Sequence, residues 1–506
     1  MPISSVDLMN QTQPRLILAN TVSEVIFQSP PQAYVMGAVA VAPRMIWSAH
    51  EGDILLTPIP VPDHVKAYAC ELLRLRPDTI TCLTPASRNI SCLAKDALAD
   101  PDILARLHHL RASTRDLVLH PFVLDRAALV LARHLRLQIS YAPWLDAGDA
   151  RWEVILELVC RLNRKSQFRN LCIRLGLPVA PGVVVNQPSE LLAHAEPLVT
   201  SHGAIIIKRD RGSNSFENAV ITDSDGDWRG RLERLAKSMP CAPRVVEAFY
   251  PGRWYPIIEY DVAESGPEIR YRCEEAYADQ TWMGMRIPWD LPRDLATAFL
   301  EAGERVGVAL HAQGYRGPFS VEGIGTADGR WILTELNLRM SGGTHLADLL
   351  THLVGPSDLS QHTASGGNLA VAVCPPFEEL RRRTEKTGLA ATTDQPEGVI
   401  YTADGTKTDG KIRYVLIARD EIRAEQIMIH LRETLAREFT TEVTRSCSYR
   451  NFGQRQKRKT DGDASGGVVW QASADASKTP EYVQANKTKG GEVHGGEHKH
   501  THYRAR

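Results

Sequence analysis

The sequence has little that would tie it to a membrane or to an oxidising compartment. Its nine cysteines are scattered at positions 70, 82, 92, 160, 172, 241, 273, 374 and 447. None forms a Cys-x-x-Cys pair, and an odd count without shared spacing argues against a disulfide framework and suits a reducing cytoplasm. No apolar run approaches the ~18 residues of a membrane span. The opening MPISSVDLMNQTQPR lacks the basic-then-apolar order of a secretory signal. An excess of one charge is also missing: 59 Lys and Arg against 60 Asp and Glu leave a net −1. No overall field therefore draws nucleic acid or a membrane surface. A Gly-x-Gly-x-x-Gly turn after the first strand is absent as well, which argues against a dinucleotide site there.

What is present is enough apolar sequence, 43% of 506 residues, for two to four ordinary domains. Residues 1–14 are polar and expected to be loose. Over 15–145, short apolar runs (LILAN, GDILLTPI, DTITCLTP) alternate with helical patterns (HVKAYACELLRL, ILARLHHLRAS, DRAALVLARHLRL). That alternation predicts an open, mostly parallel α/β sheet. Residues 151–176 read as helices stopped by Gly176 and Pro178. AIIIK (204–208) and RVVEAFY (244–250) read as strands. Apolar positions from Leu295 to Leu310 mark a long amphipathic helix ending at Gly314. GVIYTAD, KIRYVLIAR and a helix near 421–438 fall in a last small α/β portion, 356–445. The tail 446–506 is polar, Gly-rich, basic at 454–459 and His-rich at its end, and is expected to be disordered and solvated.

The most informative stretch is TELNLRMSGGTH, 334–345. Glu335, Asn337 and Arg339 occupy alternate positions, so on a strand they share one face, while Thr334, Leu336, Leu338 and Met340 face the core. The preceding strand, PFSVEGIG (318–325), is joined through Asp328-Gly329, a favoured two-residue hairpin turn. With that loop Ala327 pairs with Arg330 and, counting back, Glu322 meets Glu335. Carboxylates opposed at ~4.5–5.5 Å repel unless they share a proton or hold a cation. With the Asn337 oxygen they form a hard, all-oxygen set suited to Mg²⁺, and Arg339 suits a phosphate or carboxylate.

These residues resemble the metal-binding end of the ATP-grasp superfamily, whose pattern is an acidic residue, a hairpin, Glu-x-Asn-x-Arg and a Gly-rich stretch. The resemblance extends back over roughly 150–350. NRKSQFRNLCIRLGLPVAPG (163–182) resembles the family's first lysine helix. AIIIKRDRGSNS (204–215) resembles its second-lysine strand and glycine loop, and RVVEAFYPG (244–252) its adenine-holding hinge. The first 145 residues resemble the pre-ATP-grasp domain of peptide-ligase-type members. The implied fold is an open parallel-sheet domain (15–145) followed by an ATP-grasp domain that holds ATP between two α+β subdomains (146–355, completed by 356–445).

By that resemblance Lys165 and Lys208 neutralise ATP phosphates, and backbone around Arg211, Gly212 and Ser213 covers them. Glu247 and the backbone to Phe249 hold adenine. Glu322, Glu335 and Asn337 bind one or two Mg²⁺ ions, for which Mn²⁺ can substitute, and Arg339 holds the transferred phosphate. Trp254 stands where many members carry a ribose-binding Glu. The implied reaction is ADP-forming ligation of a small carboxylate to an amine, in natural-product biosynthesis and with amino acids or peptides as substrates. A homodimer is the common assembly of similar enzymes. Arg272 and Arg286 are candidates for a substrate carboxylate, and His345 for a general base. A kinase or carboxylase on the same site is the rival enzyme, and a non-catalytic nucleotide-binding scaffold the rival of another class. Gly405 to Lys411 imitates a P-loop, but Ile412 stands where Ser or Thr is required, so it is read as a turn between two strands.

Overall fold

The computed structural model describes residues 13–86, 92–213, 215–239, 241–278, 281–355, 361–369, 375–405 and 410–439. The expectations for the extreme N-terminus and for the tail 446–506 lie outside the described residues.

Three sheets carry the described residues. The first is parallel, in the order β3 (Thr81–Leu83), β2 (Ile54–Leu56), β1 (Arg15–Leu18), β4 (Val118–Pro121), β5 (Gln138–Ile139). Strands β1 and β2 are buried throughout, as parallel strands covered on both faces must be. Helices expected from the sequence appear at Asp63–Leu72, Pro101–Ser113 and Arg126–Leu135. Asp100 and Asp125 cap the last two by accepting from backbone amides of the first turn.

The second sheet is small and antiparallel: β6 (Gly182–Val185), β9 (Arg244–Ala248), β7 (Ala204–Arg209), β8 (Ala219–Thr222). Val185, Ile205, Ile207, Ile221 and Val246 form its core with the helix Leu191–His202. The third sheet has eight strands in the order β14 (Trp331–Asn337), β13 (Gly317–Gly325), β10 (Pro256–Val262), β11 (Pro267–Ala278), β12 (Thr281–Ile287), β15 (Thr363–Leu369), β17 (Ile412–Ala418), β16 (Gly398–Ala403). The strands from the last portion of the chain thus extend the sheet that carries the acidic hairpin. The P-loop-like stretch lies between the antiparallel pair β16 and β17, as expected of a turn; its residues 406–409 are outside the description.

The hairpin itself departs from expectation near its tip. The loop has three residues, Ala327 to Gly329, closed by Thr326 and Arg330, with Gly329 at φ +85°. A three-residue loop with glycine in the left-handed region is the next most favoured hairpin connection. It would shift every pairing by one, and Gly323 indeed meets Leu333 rather than Thr334. A bulge then absorbs Thr334, and from there Glu322 meets Glu335 and Ser320 meets Asn337. Leu336, Leu338 and Met340 are core, whereas Thr334, the bulged residue, is only half-buried.

Candidate active site

The acid pair lies on one face of the eight-stranded sheet. Glu322 pairs with both Glu335 and Ile257, and Ile257 with Cys273, so these share a face, and Glu275 two residues on joins them. Burial first, then the charges of Glu335 and Glu275, push the Glu322 carboxyl well above the usual carboxylate range; Lys165 and Arg339 pull the other way. Glu275, raised to about 7 mainly by burial, accepts from the Tyr277 hydroxyl at 2.7 Å. Among the described residues, no three or more His, Cys, Asp or Glu gather in ligating geometry. The donor set is therefore a carboxylate pair with a carboxamide beside it. Two half-buried, opposed carboxylates, one of them raised well above the usual range by burial and by its acidic neighbours, fit a hard divalent cation.

Asn337 is turned otherwise than the sequence implied. Its amide nitrogen donates to Glu322 Oε1 at 2.6 Å, while its oxygen accepts from Arg339 Nη2 at 2.6 Å. The oxygen thus faces a guanidinium, which can only donate, and not the acid pair. Strand β14 ends at Asn337, so Arg339 lies past the strand, buried, with its Nε unpaired.

The lysines come from the smaller sheet and the helix before it. Lys165 opens the helix Lys165–Arg174; its Nζ lies 3.0 Å from Glu335 Oε1 and donates to the Gly212 carbonyl at 3.0 Å. Asp210, at the end of β7, accepts from the Ser166 amide through its side chain and from the Lys165 amide through its carbonyl. One residue therefore caps the first lysine helix and joins it to the second lysine strand. Lys208 is buried and bonded to Glu247, whose other oxygen accepts from Arg169 at 2.8 Å. Arg169 also donates to the carbonyls of Ala180 and Gly182.

Several expected roles move. The Glu247 carboxylate is committed to Lys208 and Arg169, and the Phe249 amide donates to the Ala204 carbonyl, so neither is aimed at a base. The next amide, Tyr250, makes no backbone hydrogen bond among the described residues, and Tyr250 lines a cavity of about 300 Å³ with Val179, Pro181, Thr326, Trp331 and Ile332. The Arg211 side chain reaches the carbonyls of Glu24 and Cys160 instead of the cleft. Ser213 lies beside Tyr34, and Tyr34 in turn beside Arg339. Phe216 packs its ring on Phe27 and Tyr34 at 5.8 and 6.3 Å, which seats the glycine loop against the N-terminal region. Trp254 pairs its backbone with Gly325, and the Arg253 guanidinium lies over its ring at 4.6 Å.

Arg272 and Arg286 sit on the opposite face of the sheet. Arg272 pairs with Ile258 and Arg286 with Glu274, the positions that alternate with the acidic face. Arg272 lies over the Trp289 ring at 5.7 Å, and Arg286 is clamped by Glu274 at 2.8 Å and by Glu421. Neither faces the cleft. His345 is buried in the first turn of Thr344–Val354, and burial, with Arg44 nearby, holds it well below the usual imidazole range. It is a weak base and a neutral one at pH 7. The residues that sequence reasoning missed are Glu275, Arg169, Asp210, Tyr34 and Tyr250. Alternation in RYRCEEAYA, which puts Tyr271, Cys273 and Glu275 on one face, carries a signal for Glu275; the others carry none.

Residues 42–137 match the family model described as the pre-ATP-grasp domain. Solved structures of like fold include N5-carboxyaminoimidazole ribonucleotide synthetase in an ADP complex, with a TM-score of 0.51, 13% identity, and coverage of 84% of this chain and 97% of that one. Biotin carboxylase from Campylobacter jejuni, in a β-γ-ATP complex, gives 0.52 and 12% over 83% of this chain and 91% of its own. N5-carboxyaminoimidazole synthetase from Staphylococcus aureus, with ADP, gives 0.50 and 12% over 84% and 99%. The protein has an ATP-grasp fold preceded by a pre-ATP-grasp domain. A search of curated proteins found no sequence match. Among the described residues no helix is long and apolar enough to cross a membrane.

Proposed function

We propose that the protein is an ATP-dependent ligase that activates a carboxylate as an acyl phosphate and joins it to an amine, releasing ADP and phosphate. The observation that carries this is the opposition of half-buried Glu322 and Glu335, with Lys165 reaching Glu335 from the first lysine helix. A carboxylate is a poor acyl donor. Its oxygen attacks the γ-phosphorus, the bond to the bridging oxygen breaks, and ADP leaves. The amine then attacks the carbonyl carbon and expels phosphate, and its proton passes to solvent or a base.

The chain's own groups serve the first step. Lys165 and Lys208 exchange their present carboxylate partners for phosphate oxygens, and Arg339 steadies the transferred phosphoryl group. The Tyr250 amide and the cavity beside it take the adenine, a flat apolar ring with a hydrogen-bonding edge. Bound Mg²⁺, held by Glu322 and Glu335 and by Asn337 once its amide is reversed, supplies positive charge to the phosphate oxygens. Asn337 also positions Arg339 through the bond between them.

A second reading, a carboxylase in which bicarbonate is the acid, takes its support from the likeness to biotin carboxylase. Hydroxamate formation separates the two. With MgATP, an organic acid and hydroxylamine, the ligase yields a hydroxamate of that acid. A carboxylase releases ADP with bicarbonate and forms no such hydroxamate.

A further inference from the structure

The stretch that follows β7 is seated on the N-terminal region by a compact aromatic cluster. Tyr34, in the first turn of the helix Gln32–Val41, is buried with its ring 4.7 Å from that of Phe27. Phe216, just past the glycine loop, meets both rings edge to face. The Arg209 guanidinium lies over the Phe27 ring at 4.5 Å, and Arg211 donates to the Glu24 carbonyl at 3.2 Å. Contacts on both sides of Gly212 and Ser213 thus fasten the loop to residues 24–34. Close-packed rings hold their orientation, so the direction of the Tyr34 hydroxyl is set by the fold itself.

That hydroxyl lies at the phosphate end of the cleft. An added Cβ on Gly212 would sit 3.7 Å from the Phe27 ring, and the Gly212 carbonyl accepts from Lys165, whose Nζ is 3.0 Å from Glu335. The Ser213 side chain, one residue on, bonds to the Tyr34 hydroxyl, and the charges of Arg339 and Glu335 both act on it. Burial raises the hydroxyl above its usual range, against the pull of Arg339 and Ser213, so it keeps its proton at pH 7. A phenolic hydroxyl both donates and accepts. It can therefore bond Ser213 and a phosphoryl oxygen at once. Its neighbours on both sides belong to the phosphate site: the loop that covers the phosphates and the guanidinium that steadies the transferred one.

We infer that the Tyr34 hydroxyl donates to the phosphoryl group held by Arg339, so that the N-terminal region supplies a catalytic residue for phosphoryl transfer. The reaction served rests on the ligase reading above; the contact itself concerns the γ-phosphate. The cations of the site come from other parts of the fold: Lys165 from its helix, Lys208 from β7 and Arg339 from just past β14. Tyr34 adds a donor that carries no charge. It can bond the phosphoryl group without adding to the attraction that retains ADP once that group has left.

The test separates the γ-phosphate from the rest of the nucleotide. MgADP and the Mg²⁺ complex of AMP-PNP, a non-hydrolysable ATP analogue that keeps the third phosphate, are titrated calorimetrically into wild-type and Tyr34→Phe protein. The substitution removes the hydroxyl and keeps the ring and its packing. AMP-PNP should bind at least tenfold more weakly, the scale of a hydrogen bond to a charged group, while ADP stays within twofold. A tyrosine that only seated the loop would affect both nucleotides alike, so equal losses, or none, overturn the assignment. Phe216→Leu loosens the ring packing and leaves the hydroxyl, and should weaken the two nucleotides equally. A loss confined to AMP-PNP there would trace the split to the loop and overturn the assignment as well. In ADP release with MgATP and a donor acid, the kcat of Tyr34→Phe should fall at least tenfold, and a wild-type kcat overturns it. If no acid supports ligation while the split in binding holds, the Tyr34 contact stands and only the ligase reading fails.

Discussion

Glu322 and Glu335 face each other across an antiparallel pair, and a single bulged residue, Thr334, restores that opposition behind a three-residue turn. Without the bulge Glu335 would slip by one position and point to the other face of the sheet. Placing two half-buried carboxylates together works against stability, and such arrangements persist where function needs the charge.

Exchanging Glu335 for Gln keeps the shape and removes one charge. Nucleotide turnover should fall roughly 10²–10³-fold, the scale on which a preorganised charge acts. The thermal midpoint should hold or rise, because the like-charge pair is gone while Lys165 keeps the Gly212 carbonyl. ADP release within tenfold of wild type would contradict the assignment.

Lys208→Met leaves Glu247 with Arg169 as its partner, so the hinge should stay folded. The expected effect is on ATP: kcat/KM for the nucleotide lower by roughly 100-fold, on the scale of a lost charge-assisted contact. Steady-state kinetics with varied MgATP checks this, and an unchanged value would remove Lys208 from the phosphate site.

The two arginines on the far face give a contrast. Arg286→Ala strands buried Glu274 and should cost about 3 kcal/mol or more in a denaturant titration. The KM values of the surviving folded enzyme should stay within about twofold of wild type. A large KM change without loss of stability would return Arg286 to the substrate site.

Glu259 supplies a pH dependence. It is fully buried, accepts from the Ser341 amide at 3.0 Å and the Thr344 hydroxyl at 2.8 Å, and is raised to about 7, chiefly by burial. Its unfolded value is ~4.3. The native state therefore binds the extra proton, and stability from this group, full below ~4.3, is lost as pH rises toward about 7 and is constant above. Glu259→Gln should flatten the fall in stability between those limits without abolishing it, since Glu275 is raised to about 7 as well. An unaltered slope would show that Glu259 is ionised throughout.

The sequence was most legible where period and spacing coincide. The first parallel strands follow from apolar runs, and the opposition of the two glutamates from one hairpin, although the turn and the bulge were not foreseen and offset each other. The amphipathic helix Arg293–Ala312 was visible for the same reason, its apolar positions repeating at helical spacing. The antiparallel strands β10, β11, β12 and β15 were passed over, and with them went Glu275 and the facing of Arg272 and Arg286. Their residues mix apolar and polar side chains on both faces, as Ile257, Ile258 and Glu259 do in β10, so alternation of apolar and polar residues is weak. The roles of Arg169, Asp210 and Tyr34 depend on contacts between segments far apart in the chain, which no local pattern encodes.

The most direct test of the central claim is hydroxamate formation with MgATP, pooled amino and other carboxylic acids, and hydroxylamine as acceptor. The account predicts a hydroxamate formed in step with ADP, dependent on Mg²⁺ and lost in the Glu335→Gln enzyme. ADP formed without any hydroxamate, or a hydroxamate yield indifferent to Glu335, would contradict it.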